Sequence, residues 1–135
     1  MSILTLNTGN TGTLDYDAFL AEKVNFDRKF GFDVDDSEIS DILLPHQRAI
    51  VKWAVRGGRR AIFARYGLGK SVMQLEILRL ITDRMRPSSR ALVVAPLGVR
   101  GEFIRDGKNL LGLDVKFIRR TDELDGGGFY VTNYE

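Results

Sequence analysis

Residues 64–71 read Ala-Arg-Tyr-Gly-Leu-Gly-Lys-Ser, and their types and order suggest phosphate chemistry. Gly67 and Gly69 allow the backbone to curl through conformations closed to other residues, with Leu68 carried between them. Such a curl turns successive N–H groups toward one point, where they can meet phosphate oxygens. Lys70 adds an ammonium able to reach β and γ phosphates, and the Ser71 hydroxyl is a ligand suited to Mg²⁺. A helix beginning at Lys70 would add the partial positive charge of its first turn. Loops of this kind follow G-x-x-x-x-G-K-[ST]. The segment meets three of the four fixed positions, with Ala64 in place of the first glycine. The alternative is a glycine-rich strand-to-helix turn with an incidental Lys-Ser pair.

Such a loop needs a strand to enter it and a helix to leave it. The apolar run 59–64, RRAIFA, is predicted as a buried strand, and a helix is predicted from Lys70 to about Met85. Val72, Leu75 and Leu78, with Met73, Ile77, Leu80 and Ile81, make that helix apolar over much of its surface, as expected of one packed on a sheet. Upstream, LLPHQRAIVKWAV predicts a helix with Pro45 in its first turn, where a missing N–H costs nothing, closed by Gly57-Gly58. Downstream come a strand at 91–96, a helical segment at 98–112, a strand at 114–118 and a strand at 129–133. Strands alternating with helices imply right-handed βαβ units and a parallel sheet. Residues 14–24 predict a further helix, the first dozen residues a loose arm, and 30–41 an acidic, turn-rich lead-in.

The chain has 135 residues, 44% of them hydrophobic, enough for one domain with a core. With no cysteine, disulfides and thiolate zinc sites are excluded, and the single histidine, His46, cannot build a metal site with others. No run approaches the roughly 20 apolar residues of a membrane span. Nothing at the start has the pattern of a signal peptide. Charge is unevenly spread: residues 1–45 carry three basic and nine acidic side chains, and residues 46–135 carry seventeen and nine. A basic part that begins with the motifs fits a phosphate-rich partner, and an ordinary solvated surface fits it too.

Three further segments, in order and spacing with the loop, resemble helicases and DNA translocases of superfamily two, especially Swi/Snf-type and phage-associated DEAD/DEAH-like members. LLPHQRAIVKWAV resembles their upstream element, in which a glutamine recognises adenine; that position is Gln47. ALVVAPLGVRGEF resembles the motif whose loop lies along the nucleic-acid backbone, and FYVTNYE resembles the strand motif that follows. Arg65 and Tyr66 depart from the acidic and small residues usual in relatives. The resemblance implies an α/β P-loop NTPase fold, with 1–44 as arm and lead-in. Residues 45–135 would then be the front part of a RecA-like ATP-binding domain, ending before the acidic strand motif.

It implies ATP and Mg²⁺ as cofactors, held by Gln47, Gly67, Leu68, Gly69, Lys70 and Ser71. It further implies DNA as partner, met by Gly98, Arg100, Thr132 and Asn133, and a second RecA-like lobe. The implied location is the cytoplasm of a bacterium or phage-infected cell. Hydrolysis needs an acid at the end of an apolar strand, and none follows such a strand in the sequence, so this chain alone is expected to bind ATP-Mg²⁺ without efficient turnover or unwinding. A non-enzymatic nucleotide- or DNA-binding module and a P-loop kinase or transferase are the alternatives.

Overall fold

The computed structural model describes residues 30–134, so the arm and the helix predicted at 14–24 lie outside the described residues. The architecture is α/β: an open, all-parallel sheet of three strands flanked by helices. Helix α1 spans Pro45–Gly57 and helix α2 spans Lys70–Thr82. Strand β1 (Arg90–Ala95) is followed by a short turn of 3-10 helix, then helix α3 (Arg100–Asp106), which runs on into a π-helical turn at Gly107–Leu111. Strands β2 (Val115–Phe117) and β3 (Gly128–Asn133) complete the sheet. The last strand sits in the middle, giving the order β1-β3-β2.

Local chemistry explains where the helices begin and end. Leu44 is extended and Pro45 opens α1, while the Gln47 side-chain oxygen accepts the Leu44 N–H at 2.9 Å. At the other end Gly58 adopts φ +73° and returns its N–H to the Ala54 carbonyl. The amides of Phe30 and Gly31 donate to the Gly57 and Arg56 carbonyls, so the chain's lead-in caps the helix it precedes. Helix α2 stops at Thr82 rather than Met85. The amides of Arg84 and Met85 reach back only three residues, to Ile81 and Thr82, tightening the end just before Pro87.

Helix α2 is the centre of the core because it is apolar on two sides. Val72, Met73 and Leu80 pack with Val51 and Val55 of α1 and with Val34, Ile39 and Leu43 of the lead-in. Leu75 packs instead with Val93, Ala95, Val115 and Val131 of the sheet and Phe103 of α3. The lead-in therefore shares a core with α1 and α2. Arginines tie it down: Arg48 donates to the carbonyls of Ile39 and Ser40, Arg84 pairs with Glu38, and Arg84 also stacks 4.2 Å from the centre of the Phe32 ring.

The strand predicted at 59–64 does not form. Ile62 and Ala64 are half-buried while Ala61 and Phe63 point outward, Phe63 being 97% exposed, so burial alternates as in a strand. The segment has no ladder: among the described residues, 61–64 make no backbone–backbone hydrogen bond. A cavity of about 340 Å³ separates it from β1, floored by Gln74, Ile77 and Leu78 of α2. Strand β1 is consequently an edge strand, with Leu92 and Val94 51% and 58% exposed.

Two carboxylates of the lead-in make stability depend on acid. Asp35 is held below its ordinary value of 3.8 by the Ser37 backbone N–H and then its hydroxyl. Glu38 is held below 4.5 by the Asp35 backbone N–H and then by Arg84. Groups whose folded pKa is depressed stabilise above their unfolded value, and that contribution is lost as pH falls through the folded one. The thermal midpoint should fall between about pH 5 and pH 3, by less in Glu38→Gln. An equal fall in both proteins would remove Glu38 as a source.

Candidate functional site

The loop from Ala64 to Gly69 takes the form its glycines allow. Gly67 has φ +82° and Gly69 φ +71°, and Gly69 is the residue that caps α2. At Gly69 a second constraint is added, because a Cβ there would lie 2.5 Å from the Gln47 side-chain nitrogen. Any larger residue would be strained and would also press on α1.

Lys70 opens α2 and folds its ammonium back over the loop. Its Nζ donates to the carbonyls of Ala64 and Arg65, both at 3.0 Å. The cation is thus held over the curl of backbone by neutral acceptors alone among the described residues. Ser71 follows on the first turn of α2. Lys70 and Ser71 line a cavity of about 510 Å³ with Gly67 and Gly69, and Tyr66 stands at its rim, 96% exposed. The facing wall is Val94, Ala95 and Pro96 at the end of β1, with Glu102, Phe103 and Asp106 of α3.

Gln47 lies behind the loop, 8% exposed. Its oxygen accepts the Leu44 N–H and its nitrogen donates to the Leu68 carbonyl at 3.1 Å, a link across 21 residues of sequence. This side chain fastens the loop to the start of α1. An amide carries two N–H groups and two lone pairs, so one of each remains for another partner.

The sequence-predicted backbone-contact residues also come together. Parallel pairing sets Ala95 opposite Asn133, so the ends of β1 and β3 are level. Gly98 lies in the turn after β1, Arg100 is the first residue of α3, and Thr132 and Asn133 end β3. All four sit at the C-terminal edge of the sheet, the edge that also faces the loop through Pro96.

Sequence reasoning missed Gln74, Glu102 and Asp106 as cavity residues. The spacing of Glu102 and Asp106, one turn apart on α3, was the available signal. Asp106 pairs with Arg105 at 3.2 Å. No group of three or more His, Cys, Asp or Glu suited to a metal occurs among the described residues. The donor set fits Mg²⁺ nonetheless, since that ion keeps several waters and takes few protein ligands beside phosphate oxygens. Among the described residues no helix is long and apolar enough to cross a membrane. Compared with protein families and with curated proteins, the chain gives no significant match.

Proposed function

We propose that this chain is the nucleotide-binding portion of a nucleic-acid-dependent helicase or translocase, a P-loop NTPase domain of the RecA-like kind. The observation that supports the reading is that the Gly67–Gly69 curl, Lys70 and Ser71 line one cavity at the C-terminal edge of a parallel sheet. Ligands of open α/β sheets bind at that edge. In this reading ATP lays its phosphates against the loop amides. Lys70 exchanges the Ala64 and Arg65 carbonyls for phosphate oxygens, which carry full charge and form the stronger hydrogen bonds. Ser71 would hold Mg²⁺, which neutralises charge on the β and γ phosphates when bound.

Among the described residues no carboxylate ends a strand: β1 closes on Ala95-Pro96, β2 on Phe117 and β3 on Asn133. Binding, more than turnover, is the activity expected of these residues alone. The edge residues Gly98, Arg100, Thr132 and Asn133 would take the nucleic-acid backbone.

Gln47 supplies the test of base choice. Its remaining N–H and lone pair suit N6 and N7 of adenine, a pairing worth roughly 1–3 kcal/mol of discrimination. Gln47→Ala also removes the tie to Leu68, so both ATP and GTP should bind more weakly, ATP by the larger factor. Competition of each nucleotide against a fluorescent ATP analogue measures this. Equal weakening of the two would leave Gln47 as a loop fastener with no part in reading the base.

A further inference from the structure

The far corner of the same sheet edge carries a pair of arginines that the nucleotide cavity does not use. The Arg100 guanidinium lies 4.4 Å from the centre of the Phe117 ring, and that of Arg119 lies 5.8 Å from the same ring. Phe117 ends β2 opposite Val131, and the next amide, of Ile118, donates to the Val131 carbonyl at 3.0 Å. Arg119 therefore leaves the sheet beside Thr132 and Asn133.

Among the described residues six arginines are paired with a carboxylate: Arg48, Arg56, Arg79, Arg84, Arg105 and Arg120. Arg100 and Arg119 make no ion pair among the described residues. Glu123, the acid nearest in the loop, is turned to the backbone amides of Arg119 and Arg120. Two like charges are thus gathered at one ring, neither guanidinium in an ion pair among the described residues. A guanidinium drawn to an aromatic face keeps its N–H edge available for phosphate oxygens.

We propose that Arg100 and Arg119, ordered by Phe117, form a clamp for the phosphodiester backbone of a nucleic acid. The clamp rests on the nucleic-acid half of the reading above and extends it to Arg119 and Phe117. A polynucleotide is the ligand that fits, because Thr132 and Asn133 end β3 beside the arginine pair and lengthen the polar edge it can follow. A free phosphate would engage the arginine pair only.

Fluorescence anisotropy of a labelled single-stranded oligothymidylate, titrated with the full chain at several salt concentrations, tests the clamp. Arg119→Ala should weaken binding about 3–10-fold and reduce the salt slope by about one. Arg119→Lys should fall between, keeping the charge and losing the planar fork. Phe117→Leu should weaken binding with the slope unchanged. Arg86→Ala, in the loop after α2, should match the wild type. Unchanged affinity and slope in both Arg100→Ala and Arg119→Ala would overturn the clamp. So would tripolyphosphate competing as well per phosphate as the oligonucleotide.

An ATP-analogue titration on the same samples separates the two readings. Analogue binding with no Arg119 effect on the oligonucleotide overturns the clamp alone. Arg119-sensitive oligonucleotide binding without analogue binding supports the clamp and removes the nucleotide reading.

Discussion

Glu76→Ala should lower the unfolding free energy by about 2–4 kcal/mol, a large share of what a domain of this size has. Glu76 is fully buried in α2, between the apolar Leu75 and Ile77. Its carboxylate accepts the Ser40 N–H at 2.7 Å and two hydrogen bonds from Arg79, at 2.7 and 2.8 Å. Arg79 in turn donates to the Glu38 carbonyl at 2.6 Å and pairs with Asp83 at 2.8 Å. The guanidinium's pKa is raised, first through its hydrogen bonds to Glu76.

Removing the carboxylate leaves a cation facing a dry pocket and an amide without its acceptor. Breaking a buried pair from one side costs roughly 3–5 kcal/mol. Arg79 is partly exposed, and water that reaches it brings the expectation down. Glu76→Gln keeps an acceptor for Ser40 and should cost about half as much. Urea unfolding of the three proteins measures the order. A midpoint for Glu76→Ala equal to the wild type would mean that the lead-in is not held through this carboxylate.

Lys70→Ala should weaken Mg²⁺-ATP at least tenfold. A hydrogen bond to a charged group is worth about 1.5–3 kcal/mol, and each 1.4 kcal/mol is a factor of ten. The substitution removes no apolar contact of the core, since the ammonium lies over the loop carbonyls of Ala64 and Arg65. Its effect on unfolding should accordingly be small, which separates lost binding from lost structure. Lys70→Arg keeps the charge but carries a broader head than the point charge held over the curl, so it should recover only part of the affinity. Titration with a fluorescent ATP analogue, alongside urea unfolding, reads both quantities. Equal affinities in wild type and Lys70→Ala would take Lys70 out of the site.

What the sequence determined by itself is local. Gly67 and Gly69 state their positive φ through the lack of a Cβ, and Pro45 and Gly58 mark the two ends of α1. The apolar run at 91–95 is a strand, and the apolar stretch from Lys70 is a helix, as their lengths and periodicity predict. The chemistry available at residues 67–71 was legible for the same reason, because a curl, a cation and a hydroxyl adjacent in sequence remain adjacent when folded.

Only the tertiary structure decided which edges and faces meet. A strand exists through its partner, so RRAIFA, with a strand's composition and a strand's alternation, has no ladder while a gap lies between it and β1. The central position of β3 is likewise a property of pairing rather than of FYVTN. Gln47 is a first-turn helix residue in sequence, and its hold on Leu68 arises because α1 and α2 pack side by side. The same packing buries Glu76, which reads as one of several polar residues of α2 until Ser40 and Arg79 close on it. Arg100, at the start of α3, comes to Phe117 at the end of β2 for the same physical reason. Local sequence sets backbone conformation and side-chain chemistry, and contact between distant segments follows from the burial that the whole chain achieves at once.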